Sequence, residues 1–100
     1  MLENILLMTA TRLEAEPFRN MLTKLEPLEF PLGELWHGNL GSRQIHLAHF
    51  GIGKVNTAAG LALAIERLKP SSVIQFGIGG AYVNSFASIG VVMAATHDVH

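Results

Sequence analysis

Two glycine-rich turns, each directly after a short apolar run, limit this chain to a small set of folds. They occupy residues 49–56 (His-Phe-Gly-Ile-Gly-Lys-Val-Asn) and residues 75–82 (Gln-Phe-Gly-Ile-Gly-Gly-Ala-Tyr). A glycine that follows a buried strand lets backbone N–H groups approach a ligand with no Cβ in the way. Open α/β sheets bind their ligands at this carboxyl edge. The two turns therefore predict an α/β domain with a small-molecule cleft.

The composition agrees with that prediction and limits the classes of partner that the chain could bind. Apolar residues make up 49% of the 100 residues and charged residues 15%, with a formal net charge of −1. Without a broad basic field, we expect neither nucleic acid nor an anionic membrane as a partner. The chain has no cysteine, which excludes disulfides and a cysteine nucleophile and fits a cytoplasmic location. The acidic N-terminus is unlike a secretion signal, and no run reaches the roughly 18 apolar residues of a membrane span.

The periodicity of the apolar residues predicts alternating strands and helices. Strands are predicted at residues 5–10, 34–40, 42–50, 72–76 and 89–95. Helices are predicted from residues 14–16 to about residue 25, with Pro17 in the first turn, and from residue 55 to residue 68. The order β-α-β-β-α-β-β predicts a mixed, largely parallel sheet with helices packed on it.

The length of the chain is short for such a domain. The sequence stops at His100, directly after the last predicted strand, with no element left to cover it. At roughly 1.5 kcal/mol of conformational entropy per ordered residue, so short a chain must bury most of its apolar surface. We therefore expect residues 1–100 to be the N-terminal part of a single, truncated α/β domain.

Several catalytic or ligand-binding motifs are absent or incomplete. The first glycine turn comes within one residue of the dinucleotide fingerprint, but Asn56 stands at the third glycine and the next strand ends in Gln75 rather than an acid. A plain turn is favoured over a dinucleotide site. A P-loop would need a glycine at Ala48 and a serine or threonine at Val55. No serine has the Gly-x-Ser-x-Gly frame of a hydrolase nucleophile.

The five histidines do not form a recognisable metal motif. They are His37, His46, His49, His97 and His100. His46 and His49 project to opposite faces of one predicted strand, where Ile45 and Leu47 share the face of His49, and no HExxH spacing occurs. These histidines are interpreted as structural or surface residues, and no metal or cofactor is expected.

Three segments carry a resemblance to a known family, in the family's order and spacing. Residues 5–14, a strand leading through a short turn to an acid, resemble the start of the nucleoside phosphorylase and methylthioadenosine nucleosidase superfamily, whose hydrolases place a functional glutamate there. Residues 51–59 resemble its Gly-Ile-Gly-Lys-Val turn and alanine-rich helix. Residues 76–82 resemble its substrate-side glycine turn, and their Phe-Gly-Ile and Ala-Tyr flanks look most like those of the futalosine hydrolases.

The resemblance implies hydrolysis of an N-ribosidic bond, such as release of hypoxanthine from futalosine in menaquinone biosynthesis. Glu14 would position or deprotonate the water, which suits an oxocarbenium-like transition state. Ile52 would pack beside the sugar, and Ile78, Gly79 and Gly80 would run along the ribose and base. The residues themselves leave open a helix N-terminal acid at 14, a core isoleucine at 52 and a simple tight turn at the other three.

The same resemblance implies the acceptor and the assembly. Phosphorylases of the superfamily carry a Gly-Asp-Pro loop where residues 9–12 read Thr-Ala-Thr-Arg, so water rather than phosphate is the implied acceptor. The implied fold is a three-layer α/β sandwich around a mixed, mostly parallel sheet, usually assembled as a homo-oligomer. Relatives also have Gly-Asp where this chain has Gly90-Val91. They supply a ribose-binding glutamate and a base-protonating aspartic acid from a second half that residues 1–100 do not contain, so we expect this chain alone to be inactive.

Two other functions remain open at this point. One is a methylthioadenosine or adenosylhomocysteine nucleosidase, which has the same superfamily motifs. The other belongs to a different class, a non-catalytic half-domain that docks a nucleoside or a partner subunit through its exposed sheet edge.

Overall fold

A computed structural model describes residues 4–83, 85 and 89–97 of the chain. Its strands are β1 (Asn4–Thr9), β2 (Thr23–Leu28), β3 (Glu34–Leu40), β4 (Arg43–His49) and β5 (Ser72–Gln75). Its α-helices are α1 (Glu16–Arg19) and α2 (Lys54–Leu68), and a 3₁₀ turn at Leu13–Ala15 leads into α1. Pro17 lies in the first turn of α1, where its missing N–H costs nothing.

The strands form one mixed sheet in the order β2-β3-β4-β1-β5. Strand β1 lies between β4 and β5 and pairs in parallel with both. Strand β3 is antiparallel to both β2 and β4. The predicted α/β class with a mixed sheet is confirmed, and the parallel half of the sheet, β4-β1-β5, brings three carboxyl ends to one edge.

The core consists of two apolar clusters, one on each face of the sheet. On one face, Ala64 of α2 packs against Leu6, Met8, Leu35, Ala48 and Phe50. On the opposite face, covered by the 3₁₀ turn and α1, lie Leu7, Ala15, Leu22, Ile45 and Leu47. Because successive strand residues point to opposite faces, Ile45 and Leu47 fall in one cluster and Ala48 and Phe50 in the other, as predicted. The sheet is thus the middle of three layers.

Helix α2 approaches the sheet through a glycine. A Cβ added at Gly60 would lie 2.3 Å from the Cγ atom of Phe50, far inside van der Waals contact. Gly60 is buried, so the absence of its side chain is what lets Phe50 lie so close to the helix.

The predicted helix over residues 14–25 is wrong beyond Arg19. The chain turns at Asn20 and continues as β2, which pairs with β3 from Thr23↔Asn39 to Leu28↔Leu35. Helix propensity is a weak preference, and hydrogen bonding to the open edge of β3 outweighs it. Pro27 agrees with this outcome, because an edge strand tolerates a residue without an N–H.

The predicted strand over residues 89–95 is also wrong, and the order becomes β-α-β-β-β-α-β. These residues belong to no strand, and Ile89 and Val92 are almost completely exposed. A strand forms only by pairing with a neighbour, and within the described part of the chain residues 89–97 are not joined to the sheet.

Among the described helices, α2 included, none has the length and apolarity that crossing a bilayer demands.

Candidate active site

Three loops meet at the carboxyl edge of the parallel half of the sheet. They follow β1, β4 and β5, and two hydrogen bonds join them to β1. The N–H of Gly51 donates to the carbonyl of Ala10 at 3.0 Å, and the N–H of Phe76 donates to the carbonyl of Met8 at 3.0 Å. Both glycine turns therefore flank the end of β1, where ligands bind in open α/β sheets.

Glu14 lies against the second glycine turn. Its side chain is half-buried in the 3₁₀ turn, and Oε2 is 3.0 Å from the place where a Cβ on Gly77 would be. The missing side chain at Gly77 makes room for the carboxylate. The rings of Phe18 and Phe76 pack edge-to-face with centroids 6.2 Å apart, which holds α1 to the same turn.

The other predicted site residues occupy the turns themselves and are open to solvent. Ile52 is 76% exposed and Ile78 is 82% exposed. Ile52 is therefore not a core residue. A Cβ added at Gly79 or Gly80 would meet nothing within 4 Å, so the backbone there is accessible. The structure brings Glu14 to the second turn and puts the other four on the same edge of the sheet; their contact with a substrate stays a prediction.

The first glycine turn is held by its own asparagine. Gly51 and Gly53 have φ angles of +102° and +98°, which favour glycine. The Asn56 side-chain Nδ2 donates to the carbonyl of Ile52 at 2.9 Å. The residue that departs from the dinucleotide fingerprint thus stabilises the turn.

Sequence reasoning missed a buried polar pair beneath these loops. The Thr9 hydroxyl lies 2.7 Å from the carbonyl of Thr11 and 2.7 Å from His49 Nδ1. A hydroxyl has one hydrogen, and the carbonyl can only accept, so Thr9 donates to Thr11 and accepts from His49 Nδ1–H. His49 is therefore the Nδ1–H tautomer. Its Nε2 is buried and has no hydrogen-bond partner among the described residues.

Near this pair, the side chains of Arg12 and Arg19 stack on the ring of Trp36. The guanidinium carbons of Arg19 and Arg12 are 4.3 and 5.4 Å from the centroid of the Trp36 ring. Glu34 accepts from Trp36 Nε1 at 3.2 Å, and its carboxylate is 4.0 Å from Arg12. Arg19 is 7% exposed, and burial, followed by the charge of Arg12, lowers its pKa. No sequence motif predicted this cluster, because its members come from α1, β3 and the loop after β1.

His46, in the middle of β4, is held by Asn4 at the start of β1. The Asn4 Nδ2 donates to the carbonyl of Leu68 at 3.0 Å, so its Oδ1 accepts from His46 Nδ1–H at 2.6 Å. The His37 ring lies 4.9 Å from the His46 ring. Burial first, and then His37, lower the pKa of His46. Burial is also the main cause of the lowered pKa of His49; Glu34 opposes it, and Arg19 and Arg12 add to it.

We expect acid to destabilise the fold through these two histidines. Their folded pKa values lie below the unfolded value of 6.5, so the unfolded chain binds more protons at mildly acidic pH. The free energy of unfolding should be constant above that range and fall as the pH drops from about 6.5 through the folded pKa values. Urea unfolding at closely spaced pH values measures this.

The matched variants for that experiment are His46→Gln and His97→Gln. His46→Gln should reduce the loss of unfolding free energy at acidic pH, because it removes a buried titrating group. His97→Gln should leave that loss unchanged, since His97 is exposed. A stability that does not change between pH 7.5 and pH 5 would contradict the assignment.

Comparisons with known proteins give the family. Residues 4–100 match the phosphorylase superfamily, and the chain belongs to it. A 5′-methylthioadenosine/S-adenosylhomocysteine nucleosidase from an Exiguobacterium species is 36% identical over 90 residues, covering 86% of this chain. The enzyme of the same name from Listeria monocytogenes is 30% identical over 81 residues, covering 81% of this chain. The chain spans 38% and 35% of the lengths of these two relatives.

Solved structures agree with the fold. A nucleosidase of the same name from Neisseria meningitidis, in complex with methylthio-immucillin-A, has a TM-score of 0.69 and 30% identity over 74% of this chain and 32% of its own. One from Colwellia psychrerythraea, in complex with adenine, has a TM-score of 0.75 over 84% of this chain and 35% of its own; at 23% identity it supports the fold alone. The predicted superfamily is confirmed. The narrower futalosine hydrolase assignment stays a proposal, because these relatives are methylthioadenosine/adenosylhomocysteine nucleosidases.

Proposed function

We propose that this chain is the part of a purine nucleoside N-ribosyl hydrolase that carries the water-activating carboxylate. The observation that supports it most is Glu14, half-buried and set against Gly77 where the loops after β1 and β5 meet. The names of its relatives, which are nucleosidases, point to the same reaction class. The chain spans little more than a third of the relatives, so the activity belongs to the proposal.

The proposed chemistry needs only a well-placed base. Water attacks the anomeric carbon as the carbon–nitrogen bond to the purine breaks, and Glu14 accepts the proton of the water. The negative carboxylate also favours the positive charge that develops on the sugar in an oxocarbenium-like transition state. The proton that the leaving base takes up is not assigned to any group in the described residues. The exposed turn around Ile78, Gly79 and Gly80 would lie along the ribose and base, and Ile52 beside the sugar.

Two classes of substrate are supported by separate observations. The relatives' names favour 5′-methylthioadenosine or S-adenosylhomocysteine, which release adenine. The flanks of the second glycine turn, with Phe76 and Tyr82, favour futalosine, which releases hypoxanthine. Tyr82 is 92% exposed and free to contact a ligand. We rank the methylthioadenosine type first because it rests on alignments over most of the chain. A cytoplasmic location and homo-oligomeric assembly are parts of the same proposal, carried over from the resemblance.

Base release measured by chromatography tests this function. The gene product at its natural length should release adenine from 5′-methylthioadenosine without phosphate; hypoxanthine from futalosine would assign the second substrate instead. Added phosphate should not accelerate the reaction, because the loop after β1 lacks Gly-Asp-Pro. Residues 1–100 alone should release neither base. Failure of the natural-length product on all three nucleosides, or formation of ribose 1-phosphates, would overturn the proposal.

A further inference from the structure

The loop that leads from β1 to Glu14 is fastened at three successive carbonyls. Ala10 accepts from the N–H of Gly51 at 3.0 Å, and Arg12 accepts from the N–H of Ala15 at 3.1 Å inside the 3₁₀ turn. Between them, the carbonyl of Thr11 accepts from the Thr9 hydroxyl at 2.7 Å. The first two bonds are made by backbone groups. The bond to Thr11 depends on a side chain, which makes it the one that a substitution can remove.

The Thr9 hydroxyl also hydrogen-bonds to His49. Thr9 and His49 are register partners at the last position of the β1–β4 ladder, and both are at least 96% buried, with exposures of 1% and 4%. The Thr11 carbonyl can only accept, so it takes the one hydrogen of the hydroxyl, and His49 Nδ1–H donates to the hydroxyl oxygen. The hydrogen bonds thus run from His49 through the Thr9 hydroxyl to the backbone of the loop.

The pair is polar where its neighbours are apolar. The preceding same-face pairs of the ladder are Leu7↔Leu47 and Ile5↔Ile45. An apolar pair at the last position would also avoid the cost of burying His49 Nε2, which has no hydrogen-bond partner within the part of the chain that the structure describes. Packing alone does not account for a threonine and a histidine there, whereas holding the loop does.

We propose that Thr9 and His49 are positioning residues that hold the loop after β1 so that the Glu14 carboxylate stays against Gly77. Neither residue contacts the reacting atoms; both act through the carbonyl of Thr11. The inference rests on the proposed function for its catalytic consequence. Its structural half, that the pair orders residues 10–15, can be measured without any turnover.

The variants that test it are Thr9→Val and Thr9→Ser. Valine keeps the shape of threonine and removes the hydroxyl, whereas serine keeps the hydroxyl. Amide hydrogen exchange is read at Gly51 and Ala15, whose N–H groups donate to the loop, and at Phe76, whose N–H donates to Met8. Phe76 reports general opening of β1. Relative to Phe76, Thr9→Val should accelerate exchange at Gly51 and Ala15 by about tenfold, and Thr9→Ser should restore protection.

Kinetics of the gene product at its natural length supply the second readout. Thr9→Val should lower kcat by about tenfold to a hundredfold with KM changed little, and Thr9→Ser should recover most of the loss, because a misplaced base slows chemistry more than binding. Unchanged relative exchange, or equal effects of valine and serine, would overturn the inference. If wild type releases no base, the proposed function fails, and the exchange data alone decide whether the pair orders the loop.

Discussion

Replacing Glu14 by glutamine is expected to lower kcat for base release by about two to four orders of magnitude in the gene product at its natural length. Glutamine has nearly the same shape and fits the space beside Gly77, but its amide neither accepts the proton of the water nor carries the negative charge. The dissociation constant of the nucleoside should change little, because the carboxylate acts on the water. Single-turnover base release and equilibrium binding measure the two quantities separately.

The matched control is Glu16→Gln, two residues further along. Glu16 is exposed in the first turn of α1, so its variant should keep wild-type turnover. Unchanged turnover in Glu14→Gln would remove Glu14 from the reaction and leave it as an acid at the start of a helix. A natural-length protein that binds the nucleoside but releases no base would favour the non-catalytic half-domain instead.

Replacing Gly60 by alanine is expected to have the largest effect on stability. The added methyl group would lie 2.3 Å from Phe50 Cγ and 2.8 Å from its Cβ, and the Cβ atom cannot move away without a shift of the backbone that follows β4. Overpacking of this kind costs about 1–3 kcal/mol, more than the roughly 1 kcal/mol that alanine gains over glycine within a helix. The free energy of unfolding in urea should therefore fall, against the direction that helix propensity predicts.

A double-mutant cycle with Phe50→Leu identifies the cause. If the Phe50 ring produces the cost, Gly60→Ala should be less destabilising in the Phe50→Leu background than in the wild type. Additive effects would place the strain elsewhere. A Gly60→Ala variant more stable than wild type would show that α2 does not pack this closely.

The fold was predictable wherever the spacing of apolar residues agreed with the residues that end a helix or strand. Helix α2 has apolar residues spaced for one face and ends before Pro70, and the structure places it at Lys54–Leu68. Strands β3 and β4 alternate in character and pair as a hairpin. The helix predicted to continue to residue 25 was wrong because a strand places residues in the same apolar cluster equally well. Leu22 and Leu25 have helical spacing, and both pack in that cluster. Only the open edge of β3, which no local pattern reveals, distinguishes the two outcomes.

The candidate site divides in the same way. The two glycine turns and Glu14 could be placed at one edge because parallel strands bring their carboxyl ends together. The sequence could not predict the Thr9–His49 pair or the stacking of Arg19 on Trp36. Each joins residues that are distant in sequence and that no periodicity relates.

The amino-acid order by itself determined the α/β class, the strands of the parallel half of the sheet and the glycine turns that end two of them, because these depend on local conformation and on which face of an element is apolar. Tertiary structure alone decided that residues 23–28 form a strand, that Glu14 lies against Gly77, and that His49 hydrogen-bonds to Thr9. Each of these depends on hydrogen bonds or packing between distant segments, whose free energy exists only once the sheet has assembled.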